Sequence, residues 1–330
     1  MNITYVLDKV RSGEILNRKE LAWLLHFPPE STQAFQILAE SFRISRELSK
    51  TKAEIHAQIA INLSPCNCDC LFCSFSTENG IVQNVSELSA DEAIEYIRQF
   101  EVDGANAIYL MSTDNFPVDR FVEIAAEVKS KLKANTTMIA NVGDQSYKNA
   151  LKIKDAGFSG VYHALRLREG IDTGIEPEVR KQSILNFKEA GLQIGICVEP
   201  VGPEHTNDEL AAMIEFTASI NPSFSGAMRR ISIPGTKISK RGMISELRMA
   251  QIIATTRLGM PRTVLGNCAH EPCTLAAVAG ANLFWAEVGA NPRDTEEKTE
   301  EGRGETVNSC RAIYHECGWE IWDGPSRFFL

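Results

Sequence analysis

Cys66-Asn67-Cys68-Asp69-Cys70-Leu71-Phe72-Cys73 sets three thiols on one short loop in the spacing Cys66-x3-Cys70-x2-Cys73, with an aromatic residue just before the last. Soft thiolates select zinc, copper(I) or iron–sulfur iron. A closed structural zinc site takes four ligands, commonly from separated cysteine pairs. A four-iron cluster also takes four cysteines as a rule, so three thiolates on one loop leave one iron open to a small molecule. Cys68 adds a fourth thiol to the same stretch. A zinc knot of all four is the plainer alternative, but Cys68 is too close to both neighbours for adjacent thiolates to spread around one tetrahedral ion. Cys68 is read as a spectator thiol, or as a stray ligand when the cluster is lost.

Around this loop a unit recurs from Glu54 onward: short apolar strand, loop, amphipathic helix, glycine, strand. Asp103-Gly104-Ala105, Ala156-Gly157-Phe158, Ala190-Gly191-Leu192 and Ala279-Gly280-Ala281 punctuate it, as helix C-termini do when they need a left-handed residue. Ser89-Ala90-Asp91-Glu92 is a capping box that starts a helix. Strands are expected at 54–63, 105–111, 136–141, 160–165, 193–198, 226–233, 262–266 and 282–287. Strands alternating with helices imply a parallel sheet with crossover helices, and eight such units imply an α/β protein built on a closed (β/α)8 TIM-type barrel.

Residues 1–50 form an N-terminal helical cap on this reading, with Leu21, Leu24, Leu25, Phe35, Leu38, Phe42 and Ile44 on apolar stripes that serve core packing. Residues 51–290 are the barrel, and 291–330 an extension that closes it. The tail from Trp319 to Leu330 is too apolar for a disordered end, and Ser326 is a candidate to reach a cluster. Loops after barrel strands emerge at the C-terminal face. The cysteine loop, residues 111–114, residues 166–169 and residues 267–273 should therefore meet at one mouth.

The cysteine loop resembles that of the radical S-adenosylmethionine (SAM) superfamily, which prefers an aromatic residue at the place of Phe72, near the adenine. Within it the chain is similar to the biotin synthase-like branch, which includes relatives such as two-protein-type lipoyl synthase, the iron–iron hydrogenase maturases, methylornithine synthase and a tyrosine lyase. Ala279-Gly280-Ala281-Asn282 and Ile233-Pro234-Gly235-Thr236 carry that likeness. The resemblance implies a [4Fe-4S] cluster on Cys66, Cys70 and Cys73, whose open iron binds the methionyl end of SAM. Met111-Ser112-Thr113-Asp114 replaces the Gly-Gly-Glu of many relatives, and leaves the backbone of Ser112 and Thr113 to meet the amino group. Arg166, Arg168 and Glu169 stand where relatives place a basic and acidic pair near SAM, and Arg180 where an arginine faces the SAM carboxylate. A guanidinium suits a carboxylate because it binds in two places at once. Salt bridges on the barrel rim are the plainer reading, with most weight for Arg168. An electron donor such as ferredoxin or flavodoxin, and a small-molecule or carrier-protein-bound substrate, complete the implied partners.

A second set of thiols stands in the C-terminal third: Cys268 and Cys273 around His270 and Glu271, then Cys310 and Cys317 seven residues apart. Seven residues is about two helical turns, so the last two share a face. Four cysteines match an auxiliary iron–sulfur cluster, while free cysteines also often fill core space. A sulfide-donating auxiliary cluster implies sulfur insertion into a C–H bond, in lipoyl or biotin-type cofactor synthesis. The alternatives are a radical rearrangement or lyase step in metallocofactor or amino-acid synthesis, like that of hydrogenase maturases or methylornithine synthase. A relative that builds the iron-guanylylpyridinol cofactor has a wider cysteine gap, so the spacing counts against it. From another class, a non-catalytic iron–sulfur carrier or a zinc-stabilised scaffold is the rival. Cys197 and Phe284-Trp285 read as core, and Asp294 to Glu301 as a solvated run.

Composition agrees with an enzyme of this kind. The 330 residues are 44% hydrophobic and 23% charged, which is ordinary for a globular chain. A net charge of -9 argues against a nucleic-acid partner. Nine cysteines suit a reducing compartment where thiols bind metal. No apolar run is long enough to span a bilayer, and the first residues lack a signal-peptide core, so a cytoplasmic protein is expected.

Overall fold

The computed structural model describes residues 1–288 and 305–330. Three helices come first: α1 (Ile3–Arg11), α2 (Arg18–Leu24) and α3 (Thr32–Ser49). Asn2, Asn17 and Ser31 cap their first turns through side-chain oxygens. α3 runs along the outer helical layer instead of covering a barrel end. It packs on α9 (Glu246–Gly259) and α10 (Thr274–Val278), and α2 packs on α8 (Asn207–Ile220).

Eight parallel strands close the barrel in chain order. They are β1 (Lys52–Ala60), β2 (Ala107–Met111), β3 (Thr137–Asn141), β4 (Gly160–Tyr162), β5 (Gln193–Gly195), β6 (Phe224–Arg229), β7 (Gly266–Ala269) and β8 (Leu283–Val288). Each pairs with the next, and β8 returns to β1. Helices α4 (Ala90–Asp103), α5 (Val118–Lys131), α6 (Tyr147–Asp155) and α7 (Pro177–Glu189) carry the first crossovers, and the capping box of Ser89 and Glu92 starts α4.

Side-chain alternation sorts the wall into two faces. Ile55, Ala57 and Ile59 of β1 join the layer under the helices. Tyr109, Tyr162, Cys197, Phe224, Cys268 and Trp285 point into the barrel and fill it with rings and thiols. The expected barrel is present, but the seventh strand is displaced, at 266–269 instead of 262–266. Pro261 to Val264 form a turn, with the Val264 amide donating to Pro261 at 3.0 Å. Strand pairing falls on the polar residues that follow, because Asn267 and Asn282 satisfy each other's backbone groups. Gly280 lies at φ 93°, and a Cβ there would come within 2.8 Å of the Ser41 backbone, so glycine lets α3 approach.

The C-terminal tail closes the N-terminal face. After α11 (Val307–Glu316), Glu320–Ile321 pairs with the start of β1, and Asn106 Nδ2 donates to the carbonyls of Trp322 and Gly324. Phe328 and Phe329 then enter the interior as its floor. Ser326 sits at this floor, where its Oγ accepts from the Phe328 amide, at the end of the barrel opposite the cysteine loop. The acidic run Asp294–Glu301 and the boundary at 290 lie outside the described residues. None of the described helices is long and apolar enough to cross a membrane.

Candidate active site

The cysteine loop leaves the mouth of β1 and is held from three sides. Asn79 Nδ2 donates to the carbonyls of Cys70, Leu71 and Cys73 at 3.3, 3.3 and 2.8 Å. Asp69, in a left-handed conformation at φ 42°, accepts from Ser76, Thr77 and the Glu78 amide. From the loop after β4, the Gly174 amide donates to Cys68 O at 2.7 Å, and the Leu71 amide donates to Asp172 O at 2.9 Å. A Cβ on Gly174 would press against Cys68 O at 3.0 Å, so a side chain there would strain this clamp.

Cys66, Cys70 and Cys73 line one cavity at the barrel mouth with Phe72, Thr113 and Arg166. Burial pushes the Cys70 thiol up to about 11, against the pull of Arg166. Burial raises Cys73 as well, whereas the Cys68 thiol hydrogen-bonds Cys66 and lowers it. Thiols that burial keeps protonated become thiolates when a cation arrives, so the pocket suits a metal centre that brings its own positive charge. Cys68 lines the same cavity beside Cys66.

The expected SAM contacts separate into two groups. Ser112 and Thr113 line the cavity, and Thr113 is fixed by Asn62, which accepts from its amide at 2.9 Å and donates to its hydroxyl at 2.8 Å. Arg166 faces the cavity, and among the described residues its guanidinium has only a long ionic contact, to Glu199 at 3.9 Å. Arg180 is buried and already committed: Nη1 lies 3.2 Å from Asp144 and Nε 3.5 Å from Glu169. Glu169 also accepts from the Arg166 amide and the Thr173 hydroxyl. Arg168 turns to the rim and pairs with Glu209 at 2.9 Å.

Asp172, Glu204 and His205 gather their ligand atoms within 4.8 Å of one another. Arg241 bridges both carboxylates and Arg230 pairs with Glu204. His205 Nδ1 accepts from the Gly202 amide, so a neutral ring carries its proton on Nε2. This group is an ionic strut behind the loop after β4.

The structure does not bring the four thiols of the C-terminal third together. Cys268 lies on β7, pointing into the barrel, where Trp285 Nε1 donates to its sulfur at 2.8 Å. Cys310 lies outside the wall on α11 and donates to the Trp285 carbonyl at 3.5 Å. Cys273 caps α10, and Cys317 ends α11 near the Thr274 carbonyl. His270 stacks on Trp285 with centroids 4.7 Å apart, and lines the mouth cavity.

Other residues in the cavity wall or directly behind it escaped sequence reasoning. Asp144 accepts from His163 at 2.9 Å, and Tyr162 donates to Glu199. Glu199 gave a faint signal as the lone acid in an apolar stretch, Val198 to Val201. Asn79 gave none.

A family model described as the Radical SAM superfamily matches residues 65–217. A biotin synthase of Prochlorococcus marinus subsp. pastoris is 21% identical over 289 residues, covering 82% of this chain and 84% of that protein. A biotin synthase of Brucella ovis is 27% identical over 267 residues, covering 74% and 79%. A crystal structure of methylornithine synthase superposes with a TM-score of 0.80 at 18% identity, covering 98% of both chains. The FeFe-hydrogenase maturase of Carboxydothermus hydrogenoformans does so with 0.78 at 17% identity, covering 96% and 78%. At these identities the solved structures speak for the fold alone.

Proposed function

Because the chain belongs to the radical SAM superfamily, within its biotin synthase-like branch, we propose that it starts a carbon-radical rearrangement or bond cleavage on a small substrate held at the barrel mouth. When bound, a [4Fe-4S] cluster with SAM supplies a 5′-deoxyadenosyl radical that abstracts hydrogen. Cys66, Cys70 and Cys73 would hold that cluster, Phe72 would cover the adenine, and Ser112 and Thr113 would present backbone carbonyls to the amino group. Arg166 is the guanidinium with capacity left for the SAM carboxylate, and Arg180 would act by fixing Asp144 and Glu169 behind it. The closed wall and the tail keep water from the floor of the chamber.

The observation that carries the choice of reaction is the state of the barrel interior. Sulfur insertion needs a sulfide donor beside the substrate, yet the space beneath the mouth cavity is filled by Tyr109, Tyr162, Phe224 and Trp285, and the C-terminal thiols lie on both sides of the wall. Sulfur insertion stays as a second reading because the sequence relatives reported above are biotin synthases. Iron and sulfide analysis of anaerobically reconstituted protein separates the two. Rearrangement or cleavage expects about four iron atoms per chain and none in the Cys66/Cys70/Cys73→Ala variant, whereas sulfur insertion expects about six to eight and a residue of two to four. Failure of the wild type to release 5′-deoxyadenosine from SAM under a low-potential reductant would remove both.

A further inference from the structure

Beneath the mouth cavity, oxidisable side chains run in contact down the barrel axis. Tyr162 lines the cavity together with the three cluster-loop thiols, and its hydroxyl donates to Glu199, which lines the same cavity. The buried Cys197 side chain packs in the same interior cluster as Tyr162 and Cys268. Trp285 Nε1 donates to the Cys268 sulfur at 2.8 Å, and the Trp285 ring lies 4.2 Å from that of Tyr109. Tyr109 Oη lies 3.0 Å from His56 Nδ1, and His56 Nε2 lies 3.1 Å from Glu54 at the floor. Packing alone does not ask for this composition. Phenylalanine, valine or leucine would fill the same space without burying six polar X–H groups.

Resting on the radical reading above, we propose that Tyr162, backed by the Cys197–Cys268 pair, donates a hydrogen atom to a carbon radical in the mouth cavity. A phenol O–H is weaker than the C–H bond formed on an alkyl carbon, so the first transfer runs downhill. Phenol O–H and thiol S–H bonds are close in strength, so the second is nearly thermoneutral and is drawn on by reduction of the thiyl radical. In the first step the Tyr162 O–H bond breaks, a C–H bond forms on the radical carbon, and a phenoxyl radical remains. In the second, the Cys197 S–H bond breaks, the phenol is restored, and the unpaired electron rests on sulfur. One electron from a low-potential one-electron reductant, of the class that drives SAM cleavage, and one proton return the thiol. Glu199 orients the phenol at the cavity wall, and Trp285 orients Cys268 toward Cys197. The column lets a radical that has lost or finished with its substrate end on a repairable group instead of the backbone.

The test needs no substrate. Reconstituted protein is equilibrated in D2O so that phenol and thiol protons exchange, then given SAM and dithionite, and the 5′-deoxyadenosine is weighed by mass spectrometry. The wild type should yield product one mass unit heavier, and Tyr162→Phe should lose that increment while still cleaving SAM. Cys197→Ser should strand the unpaired electron on Tyr162 and give a tyrosyl signal in frozen-solution electron paramagnetic resonance that the Tyr162→Phe/Cys197→Ser double variant lacks. Unlabelled 5′-deoxyadenosine from the wild type, or full labelling in Tyr162→Phe, would overturn the proposal while leaving the radical reading intact. Absence of 5′-deoxyadenosine altogether would remove the reading and the proposal with it.

Discussion

Two arginines within one cavity wall do different work, and their neighbours decide which. Arg180 lies between Asp144 and Glu169, so its removal leaves buried carboxylates without a cation. Such a loss costs about 3–5 kcal/mol, and Arg180→Ala should lower the urea midpoint strongly. Arg166 has only the long contact to Glu199. Arg166→Ala should leave the midpoint nearly unchanged but weaken SAM binding by about 1.5–3 kcal/mol, roughly ten- to a hundredfold by equilibrium dialysis. A second residue-scale effect belongs to Glu204. Burial pushes its carboxyl up, but hydrogen bonds from Arg230 and Arg241 outweigh burial and hold it at about 2. A carboxyl depressed in the folded state stabilises above its unfolded value of about 4.3, and that stabilisation is lost as pH falls toward the folded value. Urea midpoints should therefore fall between pH 4.3 and about 2, and Glu204→Gln should flatten that slope while lowering the plateau above it.

At the scale of elements, the C-terminal tail shows how a few side chains finish a barrel. Phe329 passes over Gly160 of β4, where a Cβ would meet its ring at 2.6 Å, and Phe328 meets Gly266 of β7 at 2.9 Å in the same sense. The Arg327 amide donates to buried Glu54 at 2.9 Å and fixes the direction of entry. Phe329→Ala should cost about 3–5 kcal/mol, seen as a lowered urea midpoint, with iron binding retained in the protein that stays folded. The tail's role was legible in its apolar composition, and the early strands were legible because apolar runs follow glycine-ended helices. β7 was not, because Gly266-Asn267-Cys268 is not apolar throughout and its burial depends on Asn282, fifteen residues on. That shift carried Cys268 from a loop to the interior. The cluster thiols were legible from spacing alone. Asn79 needed the folded loop to become visible as its clamp, and Tyr162 and Glu199 needed two strands to meet.

For the molecule as a whole, the barrel wall is the boundary that gives nine cysteines their separate roles. Three line the mouth on one loop, with Cys68 beside them. Cys197 and Cys268 lie inside, and Cys310 packs in the layer between wall and helices. A cluster draws its ligands from one side of a wall, because a strand between two thiols keeps both from reaching the same iron. The Cys310 thiol instead donates to the Trp285 carbonyl from the outside, where the indole on the inside holds Cys268. Removing it should cost packing and one buried hydrogen bond, about 1–3 kcal/mol, without touching the metal. Cys310→Ala protein should therefore unfold at lower urea yet bind as much iron per folded chain as the wild type. Cys70→Ala should do the reverse and lose its iron, and with it SAM cleavage, at little cost in stability. Iron lost from Cys310→Ala while its midpoint stays at the wild-type value would mean that the outer thiol reaches a cluster after all, and sulfur insertion would become the better account of the reaction.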